Sequence, residues 1–184
     1  RRPLLFVQPV SVRIRVVRED DNIYLIGLMG AGKTTVGRQL ARRLGRRFLD
    51  SDHEIVARTG VSIPTIFEIE GEQGFRRREA QTLAELTEER AIVLGTGGGI
   101  VLCAENRQRL RDTGWVVYLN VPPPLLYERT RHDRNRPLLR VQDPLARLEE
   151  LHHLRDPLYR EPAHLVVDGS RLVASGIVQL LVRE

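Results

Sequence analysis

The stretch Asn22-Ile23-Tyr24-Leu25-Ile26-Gly27-Leu28-Met29-Gly30-Ala31-Gly32-Lys33-Thr34-Thr35 decides the fold of this 184-residue chain. Its first five residues form a short apolar run that reads as a buried strand. They lead straight into Gly-x-x-x-x-Gly-Lys-Thr at residues 27–34, which matches the phosphate-loop pattern at every position. From Lys33 to Leu44, Val36, Leu40, Ala41 and Leu44 recur at helical spacing while Arg38, Gln39, Arg42 and Arg43 take the opposite face. A glycine loop that closes on a helix N-terminus gathers free backbone N–H groups and the positive end of the helix around one point. An ordinary glycine turn before a helix would share the spacing. The lysine argues against it, since Lys33 is the one lysine among 29 lysine and arginine residues. A compact ammonium survives where the broad guanidinium of arginine would crowd the gap between two phosphates.

Working outward, strands and helices alternate. Strands are expected at residues 22–26, 48–50, 91–94, 115–119 and 164–167. Helices are expected at 33–44, 53–58, 63–70, 75–89, around Leu145 to Leu154, and at 172–182. Such alternation implies parallel strands crossed by helices, an α/β fold. Residues 1–21 stand apart as an N-terminal extension, either an added edge strand or a loose segment, and residues 22–184 form one domain. The arginine-rich stretch at about 129–142 lacks apolar periodicity and reads as a mobile loop.

Composition narrows the function. The chain is 41% hydrophobic with 5% aromatic residues, enough for a single core. No apolar run approaches the ~20 residues of a membrane helix, and the arginine-rich start lacks the apolar core of a secretory signal. A cytoplasmic location and no membrane partner are expected. The formal charge is +5, but the arginines are interleaved with glutamates, as in Arg76-Arg77-Arg78-Glu79, without an aromatic stacking surface. No nucleic-acid partner is expected. The single Cys103 reads as a small core residue beside Val101 and Leu102, and the five histidines show no zinc spacing.

Four further clusters carry chemistry. Asp50-Ser51-Asp52 ends the second strand, where open parallel sheets place ligands. On an extended backbone the two carboxylates would point the same way; Asp50 could hold a magnesium-bound water and Asp52 could orient an attacking hydroxyl. Alternatively, Asp52 caps the helix that begins near His53. In Gly71-Glu72-Gln73-Gly74-Phe75-Arg76-Arg77-Arg78-Glu79, Arg76 and Glu79 share a helix face, so the glutamate can brace an anion-binding fork. Gly95-Thr96-Gly97-Gly98-Gly99 follows a buried strand, and three glycines in a row are costly unless something must approach the backbone closely. Arg134-Asn135-Arg136-Pro137-Leu138-Leu139 lies in the loop expected to move, followed by Arg155-Asp156-Pro157-Leu158-Tyr159. An arginine carried by such a loop can stabilise a transferring phosphoryl group and close the site.

The phosphate loop, Asp50-Ser51-Asp52, Gly71-Glu72 with Phe75-Arg76 and Glu79, Gly97-Gly98-Gly99, Arg136-Pro137-Leu138-Leu139, and Arg155 with Tyr159 together resemble the shikimate kinase family from about Ile23 to the C-terminus. The resemblance implies a three-layer P-loop kinase with a five-stranded parallel sheet of order 2-3-1-4-5 and a mobile lid. It implies ATP-dependent phosphorylation of the 3-hydroxyl of shikimate in aromatic amino-acid biosynthesis, with one Mg²⁺ and with ATP and shikimate as partners of a monomer. By position, Gly30, Ala31, Gly32, Lys33, Thr34 and Thr35 would bind ATP, with Thr34 and Asp50 at the metal. Asp52 would orient the hydroxyl. Arg76 and Arg155 would hold the carboxylate, flanked by Gly97, Gly98, Gly99 and Glu79, with Gly98 presenting backbone to the ring. Arg136 would descend onto the phosphates, and Arg129 and Arg171 would lie near the adenine. Two rivals remain: another small-molecule kinase such as a gluconate kinase, and a regulatory nucleotide-binding module.

Overall fold

Five parallel strands lie in the order β2-β3-β1-β4-β5 in the computed structural model, which describes residues 18–183 except Asn135. They are β1 (Asn22–Ile26), β2 (Arg47–Asp50), β3 (Ile92–Gly95), β4 (Gly114–Asn120) and β5 (Leu165–Asp168). The order is the one the resemblance implied. β1 lies at the centre, paired with β3 through Ile23–Val93 and with β4 through Tyr24–Val116. All five of its residues are buried, as a central parallel strand covered on both faces requires.

Around the sheet run α1 (Lys33–Leu44), α2 (Ser51–Thr59), α3 (Ile63–Leu86), α4 (Ala104–Thr113), α5 (Pro123–Thr130), α6 (Pro144–Arg160) and α7 (Ala174–Arg183), with short 3₁₀ turns at Ile100–Leu102 and Pro137–Leu139. α1 buries Val36, Leu40 and Ala41, the stripe its spacing predicts. The two helices expected at 63–70 and 75–89 appear as one stretch broken at Gly71, whose backbone (φ 71, ψ −178) is not helical. Arg78 grips Glu70 across that break with two hydrogen bonds of 2.8 and 2.6 Å.

The structure departs from the sequence reading at α4, α5, α6 and Cys103. α4 buries little beyond Asn106 and Leu110, and α5 little beyond Leu126 and Thr130, too few apolar positions for either helix to show a period in the sequence. α6 runs through Pro157 to Arg160, although a proline in a helix interior costs about 3 kcal/mol. Cys103 is not a core residue: it is half-buried at the start of α4, its thiol donating to Glu105 Oε2 at 2.9 Å, beside an exposed Leu102.

Most of the extension at 1–21, including the possible edge strand from Val10 to Val17, lies outside the described residues. Its last part is tied down, since the Arg46 guanidinium donates to the carbonyls of Asp21, Glu19 and Arg18.

Candidate active site

The chemistry-bearing residues gather at the C-terminal edge of the sheet. β1 ends in the glycine loop, β2 in Asp50-Ser51-Asp52 and β3 in Thr96-Gly97-Gly98-Gly99. Parallel pairing in register brings these three chain ends side by side.

A cleft of ≈ 400 Å³ follows the phosphate loop, lined by Gly30, Gly32, Lys33, Thr34, Thr35, Asp50, Asp52, Arg129 and Arg136 among others. Gly30 and Gly32 take left-handed φ of 82 and 94, which side-chain-bearing residues rarely adopt. Lys33 Nζ donates to the carbonyls of Gly27 (2.6 Å) and Leu28 (2.9 Å). Burial, joined by the positive charge of Arg136, lowers its pKa to about 8. Thr34 Oγ1 donates to Asp50 Oδ2 at 3.1 Å. Hard oxygen donors of this kind suit Mg²⁺. Arg129 Nη1 donates to the Gly30 carbonyl at 3.1 Å, closing over the loop. Ala31, expected among the ATP-binding residues, is buried in the core and does not line the cleft. Arg171 sits exposed in the turn after β5 and does not line the cleft.

Asp50, not Asp52, caps α2: its Oδ1 accepts from the His53 N–H at 3.1 Å. The two carboxylates do not share one extended backbone, because the helix begins at Ser51 and carries Asp52 in its first turn. Asp52 is thereby released from capping. Burial, reinforced by the negative charge of Asp50, holds its carboxyl above the usual aspartate range, opposed by Lys33, Arg136 and Arg76.

Beyond Asp52 opens a second cavity of ≈ 320 Å³, walled by Arg76, Glu79, Gly97 to Gly99, Arg155 and the apolar Ile63, Phe67, Phe75 and Leu138. The two spaces share Met29, Asp52, Gly97, Gly98 and Arg136, so they adjoin. Arg76 Nη1 donates to Glu79 Oε2 at 2.9 Å and Nη2 to Glu72 Oε1 at 3.3 Å. The braced fork expected from spacing is present. Glu79 is 1% exposed, and burial pushes its carboxyl up to about 7 against the pull of Arg76.

Two of the three consecutive glycines, Gly97 and Gly99, are required on steric grounds. A Cβ at Gly97 would lie 2.7 Å from both Asp52 Oδ1 and Glu79 Oε1, and one at Gly99 would fall 2.1 Å from Arg76 Nη1. Charged side chains occupy the space a methyl would need. Ser51 Oγ, fully buried, accepts the Gly97 N–H at 3.0 Å and fixes the loop.

The cavity holds a polar deficit. Among the described residues five buried side-chain atoms lack a hydrogen-bond partner, and four of them, Asp52 Oδ1, Arg76 Nε, Glu79 Oε1 and Arg155 Nη1, belong to residues walling this space. Buried polar atoms are rarely left unpaired without a functional reason. Sequence reasoning missed the apolar wall; the i, i+4 pair Ile63 and Phe67 was its one legible signal. The Phe67 and Phe75 rings meet at 4.9 Å across the Gly71 break. Arg136, paired to Asp133 at 2.9 Å, reaches both spaces.

Comparison with known proteins agrees with this geometry. The shikimate kinase family profile matches residues 29–184. The chain is 77% identical over 174 residues to the shikimate kinase of Dechloromonas aromatica (strain RCB), covering 95% of each, and 62% identical over 157 residues to that of Aromatoleum aromaticum, covering 85% of this chain and 90% of the relative. Among solved structures it is similar to the shikimate kinase of Acinetobacter baumannii in complex with shikimate, at 54% identity and TM-score 0.87, covering 89% of this chain and 91% of that one. A gluconokinase from Sinorhizobium meliloti 1021, 19% identical with TM-score 0.57 and covering 88% and 89% of the two chains, shares the fold alone. Phosphate loop, braced arginine, glycine triplet and these identities lead to one conclusion: the chain belongs to the shikimate kinase family.

Proposed function

We propose that this chain transfers the γ-phosphoryl group of ATP to the 3-hydroxyl of shikimate, with the chemistry centred on Asp52. The observation that carries this reading is the gathering of Asp52, the braced Arg76 and Arg155 around one cavity that adjoins the phosphate-loop cleft. A carboxylate-bearing polyol of ring size would satisfy both guanidinium and carboxylate atoms.

In the reaction, the 3-hydroxyl oxygen forms a bond to the γ-phosphorus while the bond to the β,γ-bridging oxygen breaks, releasing ADP. The hydroxyl proton passes to Asp52, whose burial makes it a better acceptor than an exposed aspartate. Lys33 follows the β- and γ-phosphates as charge shifts, and Arg136 neutralises the transferring group from the segment over the site. Gly30, Gly32 and Thr35 cradle the nucleotide with Arg129 beside them. Thr34 and Asp50 would hold Mg²⁺, whose charge would draw phosphate negative charge away from the attacking oxygen. Arg76 and Arg155 hold the substrate carboxylate as planar two-pronged donors, and Gly98 lends backbone to the ring.

The segment at about 129–142 acts as a lid. In this reading the protein acts as a monomer whose partners are ATP and shikimate. No helix of the described residues is long and apolar enough to cross a membrane; the place of action in this reading is the cytoplasm. Incubation with MgATP and shikimate should yield ADP and a product whose phosphorus NMR couples to the proton on carbon 3. ATP turnover indifferent to shikimate would overturn the reading.

A further inference from the structure

Tyr159 is a fully buried polar side chain behind the wall of the acid cavity, and the mechanism above does not use it. It is 0% exposed. Its ring stacks on Tyr118 of β4, centroids 4.9 Å apart at 28°. Its hydroxyl donates to the Gly98 carbonyl in a short hydrogen bond, and the Arg155 guanidinium, one helix turn away on α6, bears electrostatically on the same hydroxyl. Arg155 and Tyr159 are four residues apart on α6, so they meet on one helix face only because the helix continues through Pro157. Burial raises the phenol's pKa far above neutrality, so it stays a donor at every working pH.

Behind Tyr159 lies a further anchor. Tyr118 donates to Asp156 Oδ1 at 2.9 Å, and Arg160 Nε donates to Asp156 Oδ2 at 2.8 Å. Tyr159 is therefore held by stacking against a ring that is itself pinned. In front of it, Arg155 Nη1 remains unpartnered and lies 3.8 Å from where a Gly98 Cβ would stand.

We infer that Tyr159 is a positioning residue for the acid substrate: its hydroxyl couples the Arg155 guanidinium to the Gly98 carbonyl, so that the carboxylate fork and the glycine segment facing the ring are set as one rigid unit. The inference rests on the proposed reaction. A peptide plane whose carbonyl is clamped has its neighbouring N–H groups aimed, and a guanidinium held on one side presents its remaining N–H groups in a fixed direction. Tyr159 and Arg155 do not line the phosphate-loop cleft, whereas Gly98 lines both spaces, so the coupling should bear more on the acid than on the nucleotide.

Steady-state kinetics of the parent, Tyr159→Phe, Arg155→Lys and the double variant test this. Tyr159→Phe should raise the shikimate KM about tenfold, the scale of one hydrogen bond to a charged group, and leave the MgATP KM within about twofold. The double variant should lose little beyond Arg155→Lys, because removing the fork removes what Tyr159 orients. Tyr118→Phe keeps the stack and the Tyr159 hydroxyl and should shift the shikimate KM far less.

A normal shikimate KM in Tyr159→Phe, equal weakening of both substrates, or fully additive losses would each overturn the inference. Should Tyr159→Phe not fold, the hydroxyl proton of Tyr159 in the parent serves instead. Its NMR resonance should move on adding shikimate and stay put on adding MgADP, and an unmoved resonance overturns the inference equally. Absence of shikimate-dependent ADP formation in the parent would instead remove the reaction on which the inference stands.

Discussion

The phosphate-loop cleft and the acid cavity adjoin along Asp52, yet they treat their polar groups in opposite ways. In the cleft the chain satisfies itself: Lys33 is held by two loop carbonyls and Thr34 by Asp50. In the cavity four buried polar atoms have no partner. Each such atom costs roughly 1–3 kcal/mol of desolvation, within a net stability of only about 5–15 kcal/mol for a domain. The cleft is assembled from local geometry that any nucleotide-binding loop can form. The cavity leaves polar groups for a bound molecule or ordered water to pair.

Asp52→Asn gives the largest expected separation between function and stability. Turnover should fall by about 10³-fold with the proton acceptor gone, while the melting temperature holds or rises, because Asp50 does the capping and an unpaired buried charge has been removed. Loss of several degrees together with retained turnover would reverse the account of this residue.

Lys33→Arg comes next, on the cleft side. Charge is kept and shape is not, so turnover should fall by roughly 10²-fold. Lys33 has its pKa lowered to about 8 from 10.5, so the parent should lose kcat/KM for ATP as pH rises above about 8. The arginine variant, which does not titrate there, should show no such limb. In stability the sign is opposite: between about 8 and 10.5 the unfolded chain binds the extra proton, so this group's contribution rises with pH. A shared high-pH limb in both proteins would mean that Lys33 is not the group responsible.

Arg76→Lys should weaken shikimate binding by about tenfold in calorimetric titrations and leave MgADP binding unchanged. Equal loss for both ligands would make Arg76 a structural residue, and the contrast between the two spaces would shrink.

Glu79 should give the smallest effect, read chiefly in stability because a Gln carbonyl can still accept from Arg76 Nη1. Its pKa is raised from 4.5 to about 7, so the folded chain holds a proton the unfolded chain releases. That contribution is complete below about 4.5 and is lost as pH rises towards 7. Glu79→Gln should therefore flatten the decline of melting temperature across this window, and an unchanged slope would assign the decline to another group.

Legibility followed the same divide. The loop was readable because its function lies in consecutive residues, and the bracing of Arg76 because Glu79 lies one helix turn away. The Asp52 capping alternative could not be decided from spacing, since both aspartates precede the helix and only its first turn shows that Asp50 Oδ1 receives the His53 N–H. The helix at Ala104–Thr113 escaped for want of an apolar period, and Arg171 was placed by likeness rather than by any local constraint.

Sequence by itself determined the alternation of strand and helix, the phosphate loop on β1 and α1, and the identity of the charged groups, because these rest on contacts between near neighbours in the chain. Tertiary structure decided the sheet order in space, the run of α6 through Pro157 that aligns Arg155 with Tyr159, and the glycine triplet's role as room for Asp52, Glu79 and Arg76. Those outcomes depend on groups many residues apart competing for the same few ångströms, and burial and packing resolve that competition only when the whole chain is folded.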